Sequence, residues 1–268
     1  MLKRVVVGTV AAAVLLFCVF VSQWTFAAMA VFCGIVAVYE MAGALKKAGY
    51  TLFVWPLYAF CVLLVPAFLF YSWGGVAALM MVCAMAQMSA PVLSVRRQAS
   101  DAMIGMGVLL YPLLPIAMMV FLAFLTPENL RHLILVQIFA CTSFADMFAL
   151  FVGMTAGRRQ LCRRLSPKKT VEGFYGGVLG SLAAGIVLYV LSPVLFALQL
   201  PWYHYLIVAV LCGVVGVVGD LFASSIKRFV EIKDFGKLLP GHGGILDRLD
   251  SVFFTLPLVV IYYQLFLL

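Results

Sequence analysis

Charged residues are scarce in this chain. Only 10% of its 268 residues are Asp, Glu, Lys or Arg, whereas 66% are hydrophobic and the mean hydropathy is +1.16. Soluble domains average about 25% charged and about 45–50% apolar residues. One water-soluble core cannot bury this much apolar surface, so the composition excludes an ordinary soluble domain and predicts a membrane protein.

Metal and disulfide patterns are also missing. The seven cysteines show no CxxC spacing, and all but Cys162 lie in apolar runs, where cysteine acts as a small hydrophobe. The sequence therefore predicts neither a disulfide framework nor a zinc site. The alternating pattern of barrel strands is absent too, so the apolar segments are expected to be helices, which satisfy their own backbone groups in lipid.

Apolar stretches long enough to cross a bilayer recur along the whole chain. A membrane helix needs about 20 mostly apolar residues. The predicted fold is all-α, a polytopic membrane helix bundle of about nine transmembrane helices. The stretches are 5–21, 25–44, 51–71, 74–94, 102–124, 133–154, 174–194, 203–223 and 250–268.

Basic residues fall on one predicted side of the membrane. With the N-terminus inside, all but one of the 18 Lys and Arg residues lie in inner segments, and only Arg131 lies outside. The positive-inside rule then predicts a cytoplasmic N-terminus and an external C-terminus. The expected location is a cell membrane, with the basic loops facing the cytoplasm. A cleaved signal peptide ending near Ala28-Met29-Ala30 is the alternative for the first stretch; a retained first helix is preferred.

Polar residues divide the chain into two predicted regions. Residues 1–130 read as hydrophobic helices that form a scaffold and a candidate dimer region. Residues 131–268 carry the polar chemistry, with basic cytoplasmic loops at 155–173 and 224–249. Glu40 is the exception in the first region. It is interpreted either as an interfacial acid facing Lys46 or Lys47, or as a support for the active site, and both interpretations remain open.

Acids near the inner ends of the later helices are the first functional candidates, because ionisable residues in membrane helices are costly. They are Asp146, Asp220, Asp247 and Asp250. If the eighth helix continues past the membrane, Asp220, Ser224 and Lys227 or Arg228 share one face. Asp247 and Asp250 share a face by their i, i+3 spacing.

A glycine-rich turn lies between these acids. The run Gly241-His242-Gly243-Gly244 can bring bare backbone amides close to a ligand, and turns of this kind form anion nests. Carboxylates beside cations and a glycine turn suit a magnesium-bound nucleoside triphosphate. The acids would bind the metal, while the cations and amides would bind phosphate oxygens.

Two segments resemble a known family. The run from Ser224 to Asp250, Ser-x-Ile-Lys-Arg-x4-Lys-Asp-x-Gly-x2-Leu-Pro-Gly-His-Gly-Gly-Ile-x-Asp-Arg-Leu-Asp, is similar to the signature of phosphatidate cytidylyltransferases at every fixed position. The segment Ser166-Pro167-Lys168-Lys169-Thr170-Val171-Glu172-Gly173 resembles a second motif of that family. The resemblance covers residues 140–255 well, but the first half only in its helix spacing and Glu40.

The resemblance implies a reaction and a set of site residues. CTP and phosphatidic acid would give CDP-diacylglycerol and pyrophosphate, with Mg²⁺ and a second cation such as K⁺, in a membrane-embedded homodimer with no nucleic-acid partner. Asp220 and Asp247 are expected to hold the metal. The expected catalytic cations are Lys227, Arg228, Lys168, Lys169 and Arg248. The expected substrate-binding residues are Ser166, Ser224, Lys233, Gly241, His242, Gly243, Gly244, Asp146 and Asp250.

The second motif admits two interpretations. Ser166 and Pro167 suit a helix start, which would place Lys168 and Lys169 beside a helix N-terminus that favours anions. The alternative is a positive-inside anchor combined with close helix packing through Gly173, Gly177 and Ser181. His242 likewise either contacts phosphate or only shapes its loop.

One position departs from the family pattern. The family usually follows the acid of the sixth helix with Ser or Thr and then Gly or Ala, whereas Met147 and Phe148 follow Asp146 here. The departure removes an expected hydroxyl beside the acid and alters the local helix contact, while the acid itself remains.

Two other functions compete with the cytidylyl transfer. A CTP-dependent polyprenol or phytol kinase fits a similar membrane site but leaves the full signature unexplained. A secondary transporter suits intramembrane acids, but transporters usually show internal repeats and broken helices at mid-membrane. Here the polar groups gather at one face.

Overall fold

The computed structural model describes residues 2–238 and 243–267. The predicted site residues Gly241 and His242 lie outside this range. The helices are α1 Leu2–Val21, α2 Gln23–Lys47, α3 Val54–Leu93, α4 Ala99–Val108, a π-helical turn Leu109–Leu113, α5 Leu114–Ala123, α6 Glu128–Ala156, α7 Val171–Phe196, α8 Trp202–Phe229 and α9 Leu246–Phe266. The predicted all-α class is confirmed.

Seven of the described helical segments are long and apolar enough to cross a bilayer, when α4, the π-helical turn and α5 are counted as one segment, Ala99–Ala123. Val7–Val21 adds a shorter apolar segment. The chain is therefore an integral membrane protein, because such helices need lipid around their apolar faces. Each of the nine predicted stretches falls mostly on helical residues, although 51–71 and 74–94 both belong to the 40-residue helix α3, which begins only at Val54. That helix breaks at Ser72, where φ is 50° and ψ is −141°. The number of crossings and their direction remain predictions.

A short antiparallel hairpin interrupts the helices within the predicted loop 155–173. Strand β1, Gln160–Cys162, pairs with β2, Ser166–Thr170, so that Gln160 lies opposite Thr170 and Cys162 opposite Ser166. The predicted helix start at Ser166 and Pro167 is wrong. Helix α7 begins at Val171, because the side chain of Thr170 caps it by accepting a hydrogen bond from the Gly173 amide at 3.0 Å.

The first compact unit comprises residues 1–124 and 227–248. Hydrogen bonds to a buried carboxylate connect the loops of this unit. Asp101, which is 5% exposed, accepts hydrogen bonds from the amides of Thr51 and Gln98, each at 2.9 Å. The Tyr50 ring stacks on Phe229 at 5.8 Å between centroids. Within this unit, the loop after α2, the start of α4 and the end of α8 therefore lie close together.

The second compact unit comprises residues 125–226 and 249–268. Helix α7 packs against α6 through glycines. A Cβ added at Gly177 would lie 3.0 Å from the Ala145 carbonyl oxygen, and one at Gly180 would lie 2.5 Å from Phe148 Cβ. Helix α8 joins them, because Ser181 Oγ donates to the Ala209 carbonyl at 2.6 Å. Small residues let these backbones approach closely, as is typical of membrane helices.

Candidate active site

Asp220 forms the first of two charged centres, within the second unit. Its carboxylate makes an ion pair with Lys169 Nζ, and its Oδ1 lies 3.5 Å from Ser224 Oγ, one turn further along α8. Helix α8 does continue to Phe229, as the predicted i, i+4 face requires. The side chains of Asp220 and Lys169 are each 27% exposed, so this centre is accessible from outside the protein.

The hairpin and its junction with α7 fix the position of Lys169. Glu172 accepts hydrogen bonds from the amides of Arg158 at 2.9 Å and Arg159 at 3.1 Å, and the Val171 amide donates to the Arg159 carbonyl at 2.8 Å. These bonds close the base of the hairpin on the first turn of α7. Sequence reasoning missed this role of Glu172, although an acid in the first turn of a helix was a visible signal.

Lys227 and Asp247 form the second charged centre, within the first unit. Lys227 Nζ lies 2.9 Å from Asp247 Oδ1 and 5.5 Å from the centroid of the Phe235 ring. The exposed fractions are 13% for the lysine side chain and 4% for the aspartate side chain. Lys227 is therefore a largely buried partner of Asp247.

Asp247 also organises the segment between α8 and α9, residues 230–245, called here the signature loop. Its Oδ2 accepts hydrogen bonds from the Phe235 amide at 2.8 Å and the Gly244 amide at 3.0 Å. The sequence suggested that the Gly244 amide would face a ligand. In the structure that amide is already used by Asp247, so it does not contribute a bare anion-binding group in this conformation.

Glu40 faces the same segment. Its Oε1 accepts a hydrogen bond from the Ile245 amide at 3.1 Å, and its Oε2 accepts one from the Leu246 amide at 3.0 Å. The side chain is buried, with 4% exposed. Glu40 therefore contacts the signature loop, which favours the second of the two interpretations that the sequence left open.

The remaining predicted residues divide between the two units. In the first unit, Gly243 has a φ of 85°, which suits glycine, and Arg228, Lys233 and Arg248 are exposed. In the second unit, Lys168 and Asp146 are exposed and Ser166 is partly buried. Asp250 is buried there and accepts a hydrogen bond from the Ser251 amide at 2.8 Å.

The carboxylates suit a hard cation such as Mg²⁺. Mg²⁺ usually takes one or two protein carboxylates and completes its shell with substrate phosphates and water. Among the residues that the structure describes, no three His, Cys, Asp or Glu side chains form a metal cluster. A site of one or two acids needs no such cluster. Asp220 fits best, because its carboxylate is partly exposed, whereas one oxygen of Asp247 is engaged by two backbone amides.

Comparisons with known proteins show which family the chain resembles in sequence. A family model described as the cytidylyltransferase family matches residues 2–266. The chain is 39% identical over 151 residues to a phosphatidate cytidylyltransferase of Bacillus subtilis, covering 55% of each protein. It is 47% identical over 148 residues to a phosphatidate cytidylyltransferase of Synechocystis, covering 53% of this chain and 47% of the relative. These matches therefore span about half the length of the relatives.

Proposed function

We propose, since the chain belongs to the cytidylyltransferase family, that it transfers the cytidylyl group of CTP to phosphatidic acid. The products would be CDP-diacylglycerol and pyrophosphate, for phospholipid synthesis. Two relatives that carry the name phosphatidate cytidylyltransferase support this choice of substrates.

The observation that carries the proposal is the ion pair between Lys169 and Asp220. Lys169 belongs to the second motif, and Asp220 precedes the signature that begins at Ser224. A lysine beside a partly exposed carboxylate and a hydroxyl can bind phosphate oxygens next to a metal. The two motifs, far apart in sequence, thereby contribute to one polar centre at an end of α8.

The proposed reaction is a direct displacement. A phosphate oxygen of phosphatidic acid attacks the α-phosphorus of CTP, a new P–O bond forms, and the bond to pyrophosphate breaks. A phosphate monoester is largely ionised near neutral pH, with a second pKa of about 6, so no strong general base is needed. Positioning and charge neutralisation then lower the barrier, as in other phosphoryl transfers.

Side chains of this protein would position the substrates and neutralise their charge. Asp220 would hold Mg²⁺, with a second cation such as K⁺ nearby, and metal binding by Asp247 of the first unit stays a prediction. Bound Mg²⁺ would neutralise negative charge on the triphosphate. In the second unit, Lys168 and Lys169 would bind phosphate oxygens. In the first unit, the expected phosphate ligands are Arg228, Lys233 and Arg248, which are exposed. Lys227 would offset the negative charge of the Asp247 carboxylate, with which it forms an ion pair.

The membrane arrangement is part of the proposal. The N-terminus would face the cytoplasm and the C-terminus the outside of a bacterial inner membrane, with the site open to lipid from the cytoplasmic leaflet. Hydrogen bonds within a unit support the prediction that its inner loops lie on the same side of the membrane. One example is the bond from the Thr51 amide to Asp101, which joins the loop before α3 to the first turn of α4. We also propose a homodimer, which mass measurement in a native membrane particle would test.

Labelled CTP separates the candidate reactions. Purified full-length protein is mixed with Mg²⁺, phosphatidic acid, a polyprenol as the acceptor for a lipid kinase, and CTP labelled at the α-phosphate. CDP-lipid with release of pyrophosphate supports the proposal. A lipid that takes label only from CTP labelled at the γ-phosphate would indicate a lipid kinase. Absence of any labelled lipid, with correctly folded protein, would contradict both reactions and favour transport.

A further inference from the structure

We propose that Glu40 is a positioning residue, which holds the signature loop and the first turn of α9 in the geometry used for CTP. This inference rests on the proposed function for the identity of the nucleotide. Glu40 lies on α2, in the half of the sequence where the family resemblance is weakest, and it contacts residues 205 and 206 positions later.

The contact has the character of a helix cap supplied by another helix. Both carboxylate oxygens of Glu40 accept backbone amides, those of Ile245 and Leu246, at the start of α9. The first amides of a helix have no partner within the helix, and a negative charge is favourable there. A buried carboxylate is costly unless its hydrogen bonds are made, so Glu40 and the start of α9 stabilise each other.

Two glycines of the signature loop make room for this carboxylate. A Cβ added at Gly236 or at Gly244 would overlap the Glu40 carboxylate. Any side chain at either position would push Glu40 away from the two amides. These glycines of the family signature are therefore explained by close approach to Glu40, and not only by contact with a ligand.

Glu40 and Asp247 together engage four backbone amides of one segment. Asp247 accepts the amides of Phe235 and Gly244, and Glu40 accepts the next two after Gly244. The two acids thus hold the loop at Phe235 and again from Gly244 to the start of α9. Because Leu246 and Asp247 are neighbours in sequence, the Glu40 bond also fixes the backbone from which Asp247 and Arg248 project.

A matched control exists in the same unit. Asp101 is buried to the same degree, 5% exposed against 4% for Glu40, and it also accepts two backbone amides, but those of Thr51 and Gln98. Glu40→Gln and Asp101→Asn therefore make the same chemical change, carboxylate to carboxamide, at two similar sites. Of these two acids, Glu40 is the one that contacts the described part of the signature loop.

The experiment compares both variants in full-length protein purified in lipid nanodiscs. We expect Glu40→Gln to lower kcat/KM for CTP about 10- to 100-fold, because hydrogen bonds to a charged acceptor are lost. Asp101→Asn should leave kcat/KM per folded molecule near the wild-type value. Hydrogen exchange should quicken over residues 243–248 in Glu40→Gln, but around residues 51 and 98 in Asp101→Asn.

A double-mutant cycle tests the contact directly. Gly236→Ala should lower kcat/KM for CTP strongly in the wild-type background and little in a Glu40→Ala background, because the overlapping carboxylate is gone. Gly43→Ala on the same helix is the control, since a Cβ there meets nothing within 4 Å. Additive effects of Gly236→Ala and Glu40→Ala would overturn the proposed contact.

The remaining outcomes are also decisive. Equal losses of kcat/KM in Glu40→Gln and Asp101→Asn would show that Glu40 contributes to stability in general and does not position the signature loop for CTP. Unchanged exchange over residues 243–248 would refute the cap itself. If the wild-type protein forms no CDP-lipid, the proposed function fails, but the exchange comparison still decides whether Glu40 holds the loop.

Discussion

Asp220 and Asp247 are both acids that the sequence predicts to bind metal, but their surroundings differ. Asp220 is partly exposed beside Lys169 and Ser224. Asp247 is buried, and it holds Lys227 and two backbone amides of the signature loop. A substitution at Asp247 therefore alters loop structure and chemistry together, whereas a substitution at Asp220 isolates the chemistry better.

Asp220→Asn should reduce Mg²⁺-dependent turnover at least 100-fold while leaving membrane insertion and the unfolding temperature close to wild type. The amide keeps the size of the side chain but removes the negative charge that a metal needs. Turnover of purified protein over a Mg²⁺ series, with thermal unfolding in parallel, measures both quantities.

A double variant that exchanges the two charges tests whether the ion pair between Lys169 and Asp220 has only a structural role. Lys169→Asp combined with Asp220→Lys should restore stability if the two charges still meet, but it should not restore turnover. Recovery of turnover in the exchanged pair would show that Asp220 serves only as the partner of Lys169.

Lys227→Met should destabilise the first unit by about 3 kcal/mol, because it leaves the buried Asp247 carboxylate without its cation. Adding Asp247→Asn should recover part of this loss, since the uncompensated charge disappears. Thermal unfolding of the purified variants in detergent measures the difference. Equal stability of Lys227→Met and wild type would mean that the pair contributes nothing to folding.

At the scale of helices, the contact between α6 and α7 accounts for the departure from the family pattern after Asp146. Met147 is 53% exposed, whereas Phe148 packs against Gly180 of α7. A larger residue at position 180 would collide with Phe148 Cβ and with the Phe144 carbonyl. Gly180 thus offers the space that Phe148 occupies, and the helices stay in close contact.

Gly180→Ala should lower stability by about 1–3 kcal/mol, as overpacking does. Gly43→Ala, in open space on α2, should be neutral or stabilising by up to about 1 kcal/mol, because alanine favours helix more than glycine does. Thermal unfolding of both variants distinguishes packing from helix propensity. Similar stability of the two variants would show that α6 and α7 do not pack as closely as described.

At the scale of the whole molecule, the length of α3 matters most for topology. A straight helix of its 40 residues would be about 60 Å long, twice the roughly 30 Å of a hydrocarbon core. The break at Ser72 lies near the middle, with Tyr71 and Trp73 beside it, and such aromatic residues favour the membrane interface. These features support two crossings that meet at Ser72.

Ser72→Cys in a cysteine-free background should therefore react with a membrane-impermeant maleimide added outside intact cells. Ala48→Cys, in the exposed end of α2, should react only after the cells are opened, because that loop is predicted to be cytoplasmic. Protection of Ser72→Cys in both preparations would place it within the membrane. Outside labelling of Ala48→Cys would reverse the predicted orientation.

The sequence by itself determined the helices and the family. Long apolar runs leave a chain in lipid no alternative to helix, since every backbone group must be paired within its own segment. The signature between Ser224 and Asp250 likewise indicated the acids and lysines before any coordinates. The number of crossings and their orientation follow from charge counts, and they remain predictions.

Which side chains meet depends on the folded chain. Pairing Lys169 with Asp220, and Glu40 with Ile245 and Leu246, depends on how distant helices pack, and no local spacing encodes it. The hairpin at 160–170 and the cap at Thr170 displaced the expected helix start, because strand pairing competed with a local proline signal. Glu40, one of the two carboxylates that hold the signature loop, lies about 200 residues before it, so only a folded backbone brings this acid and the loop amides together.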